Sequence, residues 1–248
     1  MKPQERSEVS LKDSKAGTVT HTEEDVASPQ KKMEQASSHG YTFAKFRKEW
    51  IEPVVIAVVL VVIIKTFLFQ NFKIPSGSME DTLLIGDYLF ASKFIYGTKI
   101  PFTKKVIWKI RDPRPGDIIV FRSVEEKKDL IKRCVATGGQ TLEIRNTKVF
   151  VDGVEQKFPT HGKITDQMVI PGDVSPRDNL PPIKIPEGML FMMGDNRDNS
   201  YDSRFWGFLP VENIKGKALF LYWSWDPTVP LYDVIHKVRW TRILDVIR

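Results

Sequence analysis

The polar and apolar positions divide the chain into stretches with different rhythms. Residues 1 to 40 are rich in Ser, Lys, Glu and Gln, with little aliphatic content beyond isolated valines. They sustain neither a 3.6-residue nor a two-residue period, so a disordered tail is expected over 1–45. From Ile51 to Phe69 only Glu52, Pro53, Lys65 and Thr66 interrupt the apolar character, and "VVIAVVLVVII" (54–64) is unbroken. A helix over that run would extend about 29 Å, close to the hydrocarbon thickness of a bilayer. The pattern predicts a single transmembrane helix over 50–70. A buried core helix is the alternative, but branched aliphatic residues all round the axis suit lipid better. A cleaved signal peptide fits less well, because fifty residues precede the run and no small-x-small pattern follows it.

Beyond the span the period shortens to two. Runs of β-branched and aromatic residues recur at "DIIVF" (117–121), "LIKRCVA" (130–136), "KVFVDGVEQ" (148–156), "MLFMMGD" (189–195) and "ALFLYW" (218–223). Gly-Asp and Pro-Gly turns separate them. Asp152-Gly153 between alternating flanks predicts a hairpin. The Pro-rich stretch 157–188 reads as loop or inserted subdomain. The expected architecture is mainly β: a catalytic antiparallel β core over 71–140 and 189–228, a smaller inserted β-hairpin and loop subdomain over 141–188, and a C-terminal amphipathic helix over 229–248. That last helix would lie on the membrane surface or pack as a terminal helix.

Charge adds orientation. Lys45, Arg47 and Lys48 precede the span, whereas Lys73 is the only comparable charge in the first twenty residues after it. The N-terminus is therefore expected in the cytoplasm and residues 70–248 outside. The net charge of +6 is spread along the chain, which speaks for a basic surface beside anionic lipid and against nucleic acid. One cysteine, Cys134, excludes an intramolecular disulfide framework.

Two serines, Ser76 and Ser78, sit in a Gly-containing turn a few residues past the span. A serine hydroxyl attacks only when a base removes its proton. His21 and His39 lie in the tail, which leaves His161 and His236 for a Ser-His-Asp arrangement, neither in a segment organised around chemistry. A lysine stripped of water is the other possibility, and Lys132 lies within an apolar strand pattern. By strand parity Lys132 shares a face with Cys134, and Ile131 with Arg133. An edge-strand lysine is a commonplace alternative. The pair Ser28 and Lys31 has SxxK spacing, but in a disordered tail that spacing brings nothing together. "MGDNRDNSYDSRFWGFLP" (193–210) concentrates polar and charged residues between hydrophobic flanks, as a surface loop or a bracing platform would.

"IPSGSMEDTL", "GDIIVF", "LIKRCV" and "MGDNRDNSYDSRFWGFLP", in this order after a membrane anchor, resemble the sequence boxes of bacterial type I signal peptidases, over roughly residues 50 to 225. These are membrane-bound serine endopeptidases with a Ser-Lys dyad. The resemblance implies Ser78 as nucleophile and Lys132 as general base. It implies an oxyanion hole from the Ser76 hydroxyl and the Ser78 N–H, and Ser200 holding the lysine amine. Asp202 with Arg204, and Asp195 with Arg133, would be bracing ion pairs. Phe72, Ile74, Pro75, Met79, Leu83, Val120 and Ile131 would line shallow pockets for small side chains, hence cleavage after Ala-x-Ala. The implied partners are exported preproteins bearing signal peptides and membrane lipid, and the implied place is the bacterial inner membrane with the catalytic domain on its outer face.

"VATGGQ" after Lys132 departs from the Gly-x-Pro-Gly-Asp turn common in the family, and one span is visible where some members have two. A related Ser-Lys maturation peptidase with a dedicated pilus or conjugation substrate, and a non-catalytic membrane-anchored β-rich assembly protein, are the alternatives. No metal, nucleotide or other cofactor is expected, since the chain has neither ligand-spaced His, Cys and carboxylates nor a phosphate-binding Gly-rich loop.

Overall fold

The computed structural model describes residues 43–99, 106–157 and 163–248. Most of the expected tail and His161 lie outside the described residues. By internal contacts the chain divides into residues 1–53 and 54–248.

A helix over Arg47–Leu68 is long and apolar enough to cross a membrane. It is α-helical at Glu52–Ile63 and widens to π turns at Arg47–Ile51 and Ile64–Leu68. The first π turn ends two residues before Pro53, whose ring would crowd the carbonyl four residues back in a regular α-helix. Every residue from Val54 to Ile63 is exposed, apolar throughout.

Thirteen strands follow among the described residues. They are β1 (Phe69–Lys73), β2 (Asp87–Ser92), β3 (Tyr96–Lys99), β4 (Val106–Lys109), β5 (Ile118–Arg122), β6 (Asp129–Thr137) and β7 (Thr141–Arg145). Then come β8 (Lys148–Val151), β9 (Val154–Gln156), β10 (Leu180–Lys184), β11 (Met189–Met193), β12 (Leu209–Pro210) and β13 (Ile214–Ser224). The main sheet has seven strands in the order β1-β2-β13-β5-β6-β11-β12, a second has the order β10-β7-β8-β9, and β3 pairs with β4. The strand pairs are antiparallel. Alternation decides their faces. In β2, Leu89 and Ala91 enter the core, while Tyr88 and Phe90 turn outward and Phe90 meets Phe220 and Tyr222 of β13 at ring distances of 5.4 and 4.5 Å. Asp152 and Gly153, both at positive φ (50° and 79°), make the tight β8–β9 turn that their sequence suggests.

The C-terminal segment differs from expectation. Instead of a helix over 229–248 there is one α-turn, Val234–Lys237, and one 3₁₀ turn, Trp240–Arg242. Leu221 N–H donates to Asp245, Leu244 N–H to Leu221 and Ile247 N–H to Leu219, so residues 244–247 run beside β13 where β5 no longer covers it. The open strand edge offers backbone partners that an isolated amphipathic helix could not match, and Ile247 enters the core beside Ile74, Met79 and Leu83.

Candidate active site

After β1 the chain stays extended through Ser76 (φ −137°, ψ 158°) and closes into a single 3₁₀ turn, Gly77–Met79. Met79 drives that turn inward: it is fully buried, as is Leu83, and both lie in the core beneath the turn. Ile74 fastens the approach, donating to Asp87 O at 2.9 Å and accepting from Gly86 N–H at 3.1 Å. Ser76 is left exposed and Ser78 half-buried.

The polar stretch after β11 pins this turn. Asn196 N–H donates to the Ser78 carbonyl at 3.1 Å, and its amide Nδ2 donates to Gly77 O and Glu80 Oε2, each at 3.1 Å. The Thr82 hydroxyl donates to Asp195 at 2.6 Å. Gly194 lies so close that a Cβ there would collide with the Ser78 carbonyl and the Ser200 side chain. Behind the turn, Arg242 Nη2 donates to Asp87 Oδ2 at 2.7 Å and to Thr82 O at 2.9 Å, and Ser224 Oγ donates to the same buried carboxylate at 2.5 Å.

Lys132 arrives from β6. It pairs with Ile119 of β5 on one side, whereas β11 stops at Met193 opposite Arg133 and leaves the other edge of Asp129–Lys132 open. Lys132 is only 3% exposed, and no hydrogen bond or ion pair reaches its ammonium among the described residues. Burial brings its pKa down from 10.5 to about 8; Asp202 and Asp195 pull it back up, while Arg204 pushes it further down. Each of these charges has a partner of its own. Arg133 grips Asp195 with two bonds, at 2.9 and 2.8 Å. Arg204 grips Asp202 with two more, both 2.9 Å, and donates to Arg197 O at 2.7 Å. Asp202 also accepts from Gly194 N–H at 2.9 Å and caps the turn Ser203–Trp206. Its carboxyl stays below the usual range despite full burial, held there mainly by the Arg204 guanidinium. Ser200 packs on Gly194; its buried hydroxyl lies near Asp202 but makes no hydrogen bond of good geometry.

Ser76, Ser78 and Lys132 line one cleft of about 520 Å³, together with Phe72, Ile74, Pro75, Val120 and Ile131. Met79 and Leu83, expected in its lining, instead form the core floor of the Ser78 turn. The cleft also takes Asn196, Asn199, Tyr201 and Trp206, which sequence reasoning missed. The Gly-Asp-Asn run was a signal for Asn196, since such residues fix tight turns through side-chain bonds to backbone. His236 is 77% exposed and bonded to Asp233, away from the cleft lining. Cys134 is fully buried with Ile119, Phe121 and Met192, and burial pushes its thiol up to about 12, so it is unreactive packing. Among the described residues no cluster of His, Cys and carboxylates could hold a metal ion.

Similar proteins give this arrangement its context. The family model described as "Signal peptidase, peptidase S26" matches residues 47–223. Signal peptidase I of Pseudomonas aeruginosa is 37% identical over 199 residues, covering 68% of this chain and 70% of the relative. Signal peptidase I of Buchnera aphidicola subsp. Schizaphis graminum is 32% identical over 224 residues (67% and 72%), and probable signal peptidase I-1 of a Synechocystis strain is 37% identical over 186 residues (72% and 83%). The matched region runs from the apolar helix through the Ser78 turn, the Lys132 strand and the polar box, and by that match the chain belongs to the signal peptidase family, peptidase S26.

Proposed function

We propose that this protein removes signal peptides from exported preproteins, with Ser78 as nucleophile and Lys132 as its base. One observation carries the residue assignment: a buried amine without a counter-ion shares a cleft with a half-buried serine on a turn pinned from three sides. An amine with a pKa near 8 is partly neutral at working pH and accepts a proton, which a paired lysine would not.

In the reaction so read, Lys132 Nζ takes the Ser78 proton as Oγ attacks the carbonyl of the second Ala of an Ala-x-Ala site. The Ser76 hydroxyl and the Ser78 N–H face the resulting oxyanion, a contribution of about 10² to 10³ in rate. The lysine then returns the proton to the departing amine of the mature protein, leaving the signal peptide esterified to Ser78. A water deprotonated by the same amine hydrolyses that ester. Asp195, Arg133, Asp202 and Arg204 hold the walls, and the Ser200 hydroxyl, which makes no hydrogen bond in the resting site, turns to the amine during the reaction. The substrate binds extended between the outer edge of β1 and the open edge of Asp129–Lys132, with small side chains on Phe72, Ile74, Val120 and Ile131.

The helix Arg47–Leu68 spans the bacterial inner membrane once, with residues 1–45 as a cytoplasmic tail and the cleft outside. Residues 71–140 and 189–228 form the catalytic core, with 141–188 inserted into it. Lipid is thus a partner alongside the preprotein, and the chemistry needs no metal.

The test is cleavage of an Ala-x-Ala preprotein in lipid by wild type, Ser78→Ala and Lys132→Ala, with the product's new N-terminus sequenced and each variant's melting recorded. Cutting after the second Ala by wild type alone supports the reading. A folded Lys132→Ala protein with wild-type rate would overturn the base assignment, and an inactive wild type would overturn the substrate.

A further inference from the structure

The last four carbonyls of a helix have no partners within it. In the helix that ends at Leu68 these belong to Lys65, Thr66, Phe67 and Leu68, and each receives a hydrogen bond from one short stretch of the sheet domain. Lys93 Nζ donates to Lys65 O at 2.9 Å and to Thr66 O at 3.1 Å. The buried Thr98 hydroxyl donates to Phe67 O at 2.7 Å, and the Lys93 backbone N–H to Leu68 O at 2.9 Å. Two residues thus satisfy the whole helix end, and the ammonium also complements the partial negative charge there.

The junction has no linker. Phe69 closes the last π turn through its N–H to Ile64 O and is already the first residue of β1, opposite Ser92. Its ring packs edge-on against Phe94 at 5.8 Å, and Phe67 meets Trp108 of β4 at 6.3 Å. Burial and the neighbouring Lys215 lower the Lys93 pKa, so its charge is disfavoured at this position and the carbonyls are what hold it.

We propose that Lys93 and Thr98 latch the anchor helix to the catalytic sheet and so hold Ser78 at a fixed height above the membrane surface. This rests on the reading of Arg47–Leu68 as a membrane span and of Ser78 as nucleophile. Between the latch and Ser78 lie β1 and its extended continuation, a stiff path braced against β2 and Asp87. A substrate whose apolar segment lies in the same bilayer presents its cleavage site at a height set by that segment. The latch makes the two heights agree; a helix free to swivel would let the cleft wander relative to a bond that the bilayer itself holds in place. Both residues are therefore positioning residues that touch neither substrate nor reacting atoms.

The experiment uses the full chain in nanodiscs of phosphatidylethanolamine and phosphatidylglycerol. Lys93→Met keeps the aliphatic stem and removes the donors, Thr98→Val removes the hydroxyl, and Lys93→Arg restores donors. Nitroxides on Val58→Cys and Lys184→Cys, both exposed positions, report the spread of helix-to-domain distances, while the buried Cys134 stays unlabelled. The expected result is a broader distribution in the Lys93→Met, Thr98→Val protein and a wild-type one in Lys93→Arg. Alongside it, kcat/KM on a membrane-inserted preprotein should drop about tenfold, as misplacement by a fraction of an ångström to an ångström does, while a short soluble peptide spanning the same site is cut as before. An unchanged distance distribution overturns the latch, and so does an equal loss on both substrates. If wild type cuts neither substrate, the functional reading fails, and the distance distribution still decides whether the latch exists.

Discussion

On β6, Lys132 and Arg133 are equally hidden, each 3% exposed, yet they face opposite sides of the sheet and meet different company. Arg133 has a carboxylate that matches its fork tooth for tooth, and a third bond to Gly116 O at 2.8 Å. Lys132 has an apolar wall, an open strand edge and carboxylates already committed to arginines. A buried cation is tolerated when it is paired and fully bonded, and otherwise sheds its proton. The same strand therefore supplies a permanent cation for architecture and a switchable amine for the chemistry proposed above.

The comparison is broken most sharply by giving both residues the same apolar replacement. Lys132→Met should lower preprotein cleavage by at least about 10⁴, the scale of losing a catalytic base. Arg133→Met should leave Asp195 buried without its partner and lower unfolding free energy by about 3–5 kcal/mol in chemical denaturation. Lys132→Met should have the opposite effect on stability. The native amine holds its proton less tightly than the unfolded one, about 8 against 10.5, so its burial costs up to about 3 kcal/mol below pH 8. Wild-type stability from this group therefore rises with pH between about 8 and 10.5, and Lys132→Met should be the more stable protein at pH 7 with the difference vanishing above 10.5. A variant less stable than wild type at pH 7 would mean that the amine has a partner in the folded protein.

Gly194→Ala tests the wall rather than the base: displacing the Ser78 carbonyl should cost roughly 10²-fold in kcat with little change in KM. Last, kcat/KM should climb about tenfold per pH unit below about 8 and level off above it, because only the neutral amine accepts the serine proton. A flat profile from pH 6 to 9 would point to another base.

Part of this contrast was legible in the chain. Lys132 stands out among Leu130, Ile131, Cys134 and Val135, but Arg133 beside it is charged as well, so the run alone leaves an ordinary edge-strand lysine open and the roles of the two cations came from the family resemblance. The apolar helix and the β-rich remainder were legible from their period. The pinning of the Ser78 turn was not. Asn196 and Gly194 act through backbone contacts to residues over a hundred positions away, and no local pattern records such a partner. Asp87 and Arg242 are equally distant, and Met79 and Leu83 read as pocket lining until the turn's direction sends them into the core. The C-terminal segment misled because its helical spacing is real, whereas the vacant edge of β13 that overrides it is visible only in three dimensions.

The bond from Asn196 to Gly77 spans 119 positions, and this has a consequence for the protein's birth. At a synthesis rate of about 5–20 residues per second, the serine leaves the ribosome some 6 to 24 seconds before the residue that fixes its turn. During that interval the nascent chain carries Ser78, the proposed nucleophile, without the residue that fixes its turn. The proposed chemistry thus waits until the chain has been made through Asn196.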